Sequence, residues 1–167
     1  MKTSELLIDA HSRIQEVVHD VVTGLDDKTL AARPGETANS IAWLVWHLTR
    51  IQDDHLADAG GYEQVYTADG WHDRLGLPLD AADTGYGHSP QQVGLVQLSA
   101  DQLLGYYDAV HARTVEFLKT VTDDGLDRIV DKRWNPPVSL GVRLISVIDD
   151  CQQHSGQAAY VKGLLLS

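Results

Sequence analysis

Apolar residues recur at spacings of three and four along four segments of the chain, which is the period of an amphipathic helix. In the first segment the pattern starts at Leu6 and Leu7 and continues to Val21. The spacing predicts long helices over residues 4–23, 40–59, 100–122 and 140–166. Four such helices predict an all-α protein with a four-helix bundle, formed as a single domain over residues 1–167.

Residues that cap or stop helices stand at the ends of these segments. Gly24 and Gly60 follow the first two helices, and Ser99 begins a capping box before the third. Ser139, two residues after Pro137, can cap the fourth helix. The helix bounds are therefore supported by two signals, the apolar period and the local capping chemistry.

The connections between the helices are unequal in length. The second and third helices are separated by residues 60–98, about 39 residues, and so long a connection usually carries function. It contains large apolar residues, so we expect it to pack on the bundle: Trp71, Leu75, Leu77, Tyr86 and Val93. An extended piece over residues 129–134 precedes the last helix, and no sheet is expected.

Composition and charge narrow the possible partners. The net charge is −11, with no basic patch, which excludes a nucleic-acid partner on electrostatic grounds. No apolar run is long enough to span a membrane, and the first residues lack the apolar core of a signal peptide. The chain has a single cysteine, Cys151, so no disulfide can form within it. We therefore expect a cytoplasmic protein that acts on a small molecule.

A cluster of candidate metal ligands follows from the helix pattern. His47 lies in the middle of the apolar face of the second helix, where an imidazole must be hydrogen-bonded, metal-bound or exposed in a pocket. Asp150 and His154 are four residues apart on the interior face of the last helix. Such a pair can hold a divalent ion with a third ligand, His47, from a facing helix. The alternative is an Asp–His hydrogen bond without a metal.

Other residues are weaker candidates. His55 is expected to border the site or face a neighbouring residue, and His88 is expected to be a surface histidine of a turn-rich loop, or else to close over a pocket. Arg143 lies on the face of Asp150, where it either holds an anionic substrate or pairs with a carboxylate. Cys151 is expected to be a small buried residue.

Two motifs carry a resemblance to a known family. The segment from Asn39 to Leu48, which contains Trp43 and His47, and the segment from Asp150 through His154 to Tyr160 resemble the DinB/YfiT-like superfamily. The resemblance covers essentially the whole chain, including the helix spacing and the lead into the last helix. It looks closest to the branch that groups with mycothiol-dependent transferases and maleylpyruvate isomerase.

The resemblance implies a bundle, usually dimeric, with a divalent metal near one end. Carried over by position, the ligands are His47, Asp150 and His154. The sequence departs from the family at Asp150, where many members have histidine and the isomerase-like branch has glutamate. Two histidines and a carboxylate suit Zn²⁺, and also Ni²⁺ or Fe²⁺. Three protein ligands leave open positions, as in catalytic sites.

Function follows from the resemblance as a hypothesis. It implies an enzyme in which a metal-bound water or thiol is the reactive group, with a low-molecular-weight, mycothiol-like thiol as co-substrate that attacks a small electrophile. Trp43 and Arg143 are the predicted substrate contacts. One alternative is a non-catalytic bundle that binds a small molecule or metal. Another is a structural dimer that presents loop aromatics such as Trp71 to a partner.

Overall fold

The computed structural model describes residues 1–167 and is almost entirely helical. In chain order its helices are α1 (Thr3–Val22), α2 (Asp27–Ala31), α3 (Ile41–Gly60), α4 (Val65–Ala68), α5 (Trp71–Leu75), α6 (Pro90–Val93), α7 (Ala100–Leu118) and α8 (Leu140–Leu166). A 3₁₀ helix (Asp123–Asp127) and two short strands, β1 (Ile129–Asp131) and β2 (Val138–Ser139), precede α8. The long helices α1, α3, α7 and α8 form the predicted bundle, so the all-α fold class is confirmed.

Two details of the expected secondary structure were wrong. The third long helix ends at Leu118, before the predicted Thr122. The chain also has a sheet, since β1 and β2 pair antiparallel with Ile129 opposite Ser139 and Asp131 opposite Val138. Strands of three and two residues are too short to show an alternating apolar pattern, which is why the sequence did not indicate them.

Helix α3 is the central element of the bundle. Residues 41–53 are buried without interruption, and the helix packs most extensively against α8. The helix begins where the Ser40 hydroxyl accepts a hydrogen bond from the Trp43 amide at 3.1 Å. It ends at Gly61, whose φ of 70° is the left-handed conformation of a helix C-cap. Every polar residue in this buried stretch must find its hydrogen-bond partners within the protein.

The long connection between α3 and α7, residues 61–99, packs against the bundle as expected, except at Tyr86, whose ring was expected to pack and is instead exposed at the tip of a turn between two glycines. Leu75, Leu77 and Val93 belong to the single cluster of 34 buried residues that forms the core. Trp71 lies so close to α7 that a Cβ atom at Gly105 would be 2.7 Å from its ring. The connection is thus a fixed wall of the molecule.

Arg50 ties the long connection to α3. Its side chain is fully buried and donates to the carbonyl oxygens of Ala81 (3.0 Å) and Asp83 (3.1 Å). It also donates to the Gln64 side chain at 2.8 Å and lies over the Tyr66 ring, 4.1 Å from its centroid. A buried guanidinium is tolerated only where its donors are satisfied, so these contacts fix the path of residues 81–83.

Asp53, one turn after Arg50, holds the start of the same connection. Its carboxylate accepts hydrogen bonds from the amides of Val65 (2.9 Å) and Tyr66 (2.8 Å) and from the Tyr106 hydroxyl (2.9 Å). Burial raises the pKa of this carboxyl group, against the opposing effect of these hydrogen bonds.

None of the helices of the molecule is both long enough and apolar enough to cross a membrane.

Removal of the Arg50 guanidinium should strongly destabilise the protein. In Arg50→Met, Asp53 and the carbonyl groups of Ala81 and Asp83 lose their buried partner, and we expect unfolding to become easier by about 3–5 kcal/mol. Urea denaturation measures this difference. The control is Arg13→Met, which removes only an exposed ion pair with Asp9 and should leave the midpoint unchanged. Equal midpoints for the two variants would contradict the assigned role of Arg50.

His11 on α1 makes stability depend on pH. Burial, and then the charge of neighbouring His111, lower the pKa of His11 to about 4. Between pH 6.5 and about 4 the unfolded chain therefore binds a proton that the folded protein does not, so acidification destabilises the fold, by up to about 1.4 kcal/mol per pH unit. His11→Leu should flatten this dependence in urea titrations. His19→Leu, at a half-exposed position of α1, should retain it; the same slope in both variants would argue against His11.

Candidate metal centre

The three predicted ligands come together where α3 packs against α8. One ligand atom from each of His47, Asp150 and His154 lies within 4.8 Å of the others. The two imidazole rings meet edge to face, with centroids 4.7 Å apart, and His154 Nε2 is 3.6 Å from Asp150 Oδ1. The pair on α8 faces α3 because residues four apart share one side of a helix. The arrangement has the size and donor set of a three-ligand cation site.

The orientation of His47 is set by the long connection. Its Nδ1 lies 2.5 Å from the carbonyl oxygen of Thr84. Since a carbonyl oxygen only accepts, Nδ1 carries the proton and Nε2 keeps its lone pair. Burial lowers the pKa of His47, which keeps the ring neutral near neutral pH. A neutral imidazole whose other nitrogen donates to a carbonyl group is the form that binds metal ions.

His154 has the corresponding arrangement on α8. Its Nδ1 lies 2.8 Å from the side-chain oxygen of Gln157, one turn further along the helix, which leaves Nε2 on the side of Asp150. Burial alone would lower the pKa of His154, but Asp150 and Gln157 outweigh it and raise that pKa. Both histidines therefore present Nε2 to the space that they share with Asp150.

Asp150 has an unpaired oxygen in this cluster. Its Oδ2 is buried and has no hydrogen-bond partner. Burial opposes ionisation of the carboxyl group, but His154, then His47 and His55, outweigh it and lower the pKa of Asp150. A buried carboxylate oxygen without a partner is costly, and a bound cation would remove that cost. The residues present therefore fit a divalent metal ion.

Gly85 allows the Thr84 carbonyl group to reach His47. Its φ is +89°, a conformation that favours glycine, and a Cβ atom there would lie 2.9 Å from His47 Nδ1 and 2.9 Å from the Trp46 ring. Thr84 is held as well, because the residues on either side of it are joined: the Asp83 carboxylate accepts a hydrogen bond from the Gly85 amide at 2.8 Å. No other residue type fits this close approach of backbone to ring.

His88 is a structural link and not the surface histidine that we expected. Its side chain is only 3% exposed. It accepts a hydrogen bond from Trp43 Nε1 at 3.1 Å and donates through Nε2 to Asp83 at 2.9 Å. The expectation failed because both partners come from other parts of the fold, Trp43 from α3 and Asp83 from an earlier turn of the loop.

Trp43 lies behind the candidate ligands. Its ring stacks on His47 with a centroid distance of 4.6 Å and an interplanar angle of 13°, and its edge faces His154 at 6.2 Å. The side chain is buried and its N–H group is bound by His88. The structure shows Trp43 as a support for the His47 ring, and its contact with a substrate stays a prediction.

A cleft of about 710 Å³ opens next to the candidate centre. Thr84 and Ser146 line it, and Ser146 is one turn before Asp150 on α8. The cleft walls combine apolar and charged side chains: Ile51, Asp54, His55, Thr84, Tyr86, Asp131, Arg133, Trp134, Val138, Val142, Arg143 and Ser146. Trp134 and Tyr86 are strongly exposed, so apolar surface is available at its mouth.

Arg143 is paired within the cleft wall. It donates to Asp131 at 2.9 Å and to His55 Nδ1 at 2.7 Å. Of the two roles considered for Arg143, pairing with a carboxylate is the one observed; a contact with substrate stays a prediction. Burial and the charge of Arg143 lower the pKa of His55, which borders the site. Cys151 is fully buried, as expected.

Sequence reasoning missed the residues of the long connection that orient His47. Thr84 acts through its backbone carbonyl group and Gly85 through its lack of a side chain, so the residue type indicates the role at neither position. Arg50 is the one residue whose position in the sequence indicates that another part of the chain contacts α3 here, because it is a charged residue within the apolar part of the helix, three positions after His47. Such a residue requires buried acceptors from elsewhere in the chain.

Comparisons with known proteins agree with this fold. The crystal structure of a conserved protein from Enterococcus faecalis superposes with a TM-score of 0.92 and 28% sequence identity, over 99% of this chain and 98% of that one. No curated protein has a significant sequence match. The family model of the DinB superfamily matches residues 10–158. The matched region contains all three candidate ligands, and the chain belongs to the DinB superfamily.

Proposed function

We propose that the protein is a metal-dependent enzyme that transfers a low-molecular-weight thiol, of the mycothiol type, to a small electrophile. One observation carries the proposal: the unpaired, buried Oδ2 of Asp150 lies with two histidines whose Nδ1 atoms are engaged elsewhere, so that each ring directs Nε2 toward Asp150. Zinc is the proposed ion, since two imidazoles and a carboxylate suit it. When bound, such an ion lowers the pKa of a coordinated water or thiol.

The chain's own residues have separate tasks in this proposal. His47 and His154 are held in their ligand-competent tautomers by Thr84 and Gln157. The cleft receives the electrophile, and its apolar surface favours an uncharged or aromatic molecule. Arg143 is already neutralised by Asp131, so an anionic group of the substrate would have to compete with this ion pair.

The reaction needs no further cofactor in this scheme. A bond forms between the thiol sulfur and a carbon of the electrophile, the bond to the leaving group breaks, and the thiol proton passes to solvent.

The family resemblance supports the thiol and the homodimeric state, and both stay predictions, as does a cytoplasmic location. The alternative function is non-catalytic binding of a metal or small molecule by the same site.

Metal content tests the site. Purified protein should hold about one zinc ion per chain, measured by elemental analysis, and His154→Ala should lose it because one of three ligands is removed. His72→Ala, a histidine on α5 that is not part of the cluster, is the matched control and should keep the metal. A metal-free protein whose melting temperature is unaffected by a chelator would refute the metal site.

Turnover then separates the enzyme from the binding protein. The zinc-loaded protein should conjugate mycothiol to chlorodinitrobenzene, with release of chloride, and His154→Ala should not exceed the uncatalysed rate. If the wild-type protein binds zinc but gives no more product than His154→Ala with this and other electrophiles, the non-catalytic alternative is favoured and the transferase proposal fails.

Gly85→Ala should weaken zinc binding although residue 85 is not a ligand. The new methyl group would displace the Thr84 carbonyl group or the His47 ring, and loss of such a supporting hydrogen bond typically costs about 10- to 100-fold in metal affinity. Gly87→Ala is a close control, because its φ is also positive (+73°) but its surroundings are open. Competition titration with a zinc chelator measures both affinities. Equal affinities would contradict the role assigned to the close approach at Gly85.

A further inference from the structure

Trp134 places a large aromatic side chain at the mouth of the cleft beside the candidate metal centre. It lines the cleft and is 65% exposed, and Tyr86, which lines the same cleft, is 91% exposed. Val142 of α8 is also exposed and adds to this surface. Single exposed apolar residues are ordinary in soluble proteins, but here three of them line one cavity. Apolar surface that is collected in a concave site is typical of ligand binding.

A network of ion pairs holds the turn that carries Trp134. The preceding residue, Arg133, donates to the Asp131 carboxylate through its backbone amide (2.9 Å), its Nε (2.9 Å) and its Nη2 (2.8 Å). Asp131 is itself buried and accepts a hydrogen bond from Arg143 of α8 at 2.9 Å. Trp134 therefore follows a residue that is tied to the bundle, so little backbone freedom is lost when a ligand binds to its ring.

The charged side chains of the cleft wall balance one another. Two aspartates and two arginines line the cleft, although the whole chain has a net charge of −11. Asp131 pairs with Arg133 and Arg143, and the second carboxylate, Asp54, accepts a hydrogen bond from the Gln64 side chain at 2.8 Å. A charged ligand would have to compete with these pairs, whereas an uncharged ligand leaves them intact. The cleft wall therefore favours an uncharged molecule.

The cleft has the size of a small-molecule site and extends toward the candidate ligands. Its volume of about 710 Å³ lies within the usual range for such sites. Thr84, whose carbonyl group contacts His47, lines it, as does Ser146, one turn before Asp150. A molecule that is held by its ring at Trp134 can therefore direct another part of itself toward the metal centre.

We propose that the cleft binds a planar, uncharged aromatic molecule whose ring stacks on Trp134, with Tyr86 as a second aromatic contact. An electron-poor ring is favoured, because the face of the indole ring is electron-rich. As an assignment of the electrophile this inference rests on the proposed transferase function, whereas binding of the ring itself does not. Trp134 is then a specificity-determining residue, which selects flat rings over aliphatic molecules.

Equilibrium dialysis with dinitrobenzene tests the proposal on the purified protein in the absence of thiol. This probe is planar and uncharged, and it does not react because no thiol is present. The wild-type protein and Trp134→Phe should bind it with similar affinity, and Trp134→Ala should bind it about tenfold more weakly because one stacked ring is lost. Tyr160→Ala, which removes an exposed aromatic side chain outside the cleft, is the matched control and should bind like the wild type. Absence of binding, or equal affinities for the wild type and Trp134→Ala, would overturn the proposal.

Two further probes test the chemistry of the ligand. Cyclohexanone is uncharged but not aromatic, and it should bind more weakly than dinitrobenzene. Dinitrobenzoate keeps the aromatic ring and adds a negative charge, and it should bind no more tightly than dinitrobenzene. Tighter binding of dinitrobenzoate that is lost in Arg133→Met would show an anion site and would overturn the assignment of an uncharged ligand.

A second copy of the chain is the competing occupant of this surface. Sedimentation velocity should give the same oligomeric state for the wild type and Trp134→Ala. If Trp134→Ala instead dissociates a dimer and leaves the affinity for dinitrobenzene unchanged, the surface is a subunit interface and the proposal fails.

The dialysis result and the proposed function can fail separately. A protein that transfers thiols but binds dinitrobenzene equally well without Trp134 keeps the proposed function and refutes the role of Trp134. A protein that binds the probe through Trp134 but shows neither zinc nor turnover keeps the aromatic site and refutes the transferase.

Discussion

The buried guanidinium group of Arg50 holds the long connection against the bundle, and the candidate metal centre depends on this contact. A charge inside a protein must be satisfied by acceptors with good geometry, and Arg50 takes two of its acceptors from the backbone of Ala81 and Asp83. The next residue, Thr84, then places its carbonyl group 2.5 Å from His47. The hydrogen bonds that Arg50 requires in the core therefore also determine how the candidate ligand His47 is oriented.

A second tie reinforces the first from the other side of the His47 ring. Asp83 accepts from His88, which in turn accepts from Trp43, and the Trp43 ring stacks on His47. The imidazole is thus fixed at one edge by a carbonyl group and on one face by an indole. Burial by the same residues keeps His47 neutral, so packing and electrostatics favour the same ligand-competent state.

The part of the structure that depends on local pattern was predictable from the sequence. The helical period placed His47, Asp150 and His154 on interior faces, and the structure brings them together. The period was misleading at one point. Val121 is buried although it lies beyond the end of α7, so the apolar stripe predicted a longer helix than the structure has. Partners distant in sequence, such as those of His88, leave no local signal, and a carbonyl group that orients a ligand belongs to every residue type.

The close approach at Gly85 also provides a criterion for reading related sequences. The backbone passes so near His47 that the position has no room for even one methyl group. A relative with glycine here, one residue after the carbonyl group that contacts the histidine, can hold that histidine in the same tautomer. A relative with a larger residue must route its loop differently, and its histidine must find another acceptor. Position 85 thus distinguishes two ways of building the same ligand set, which the ligands themselves do not reveal.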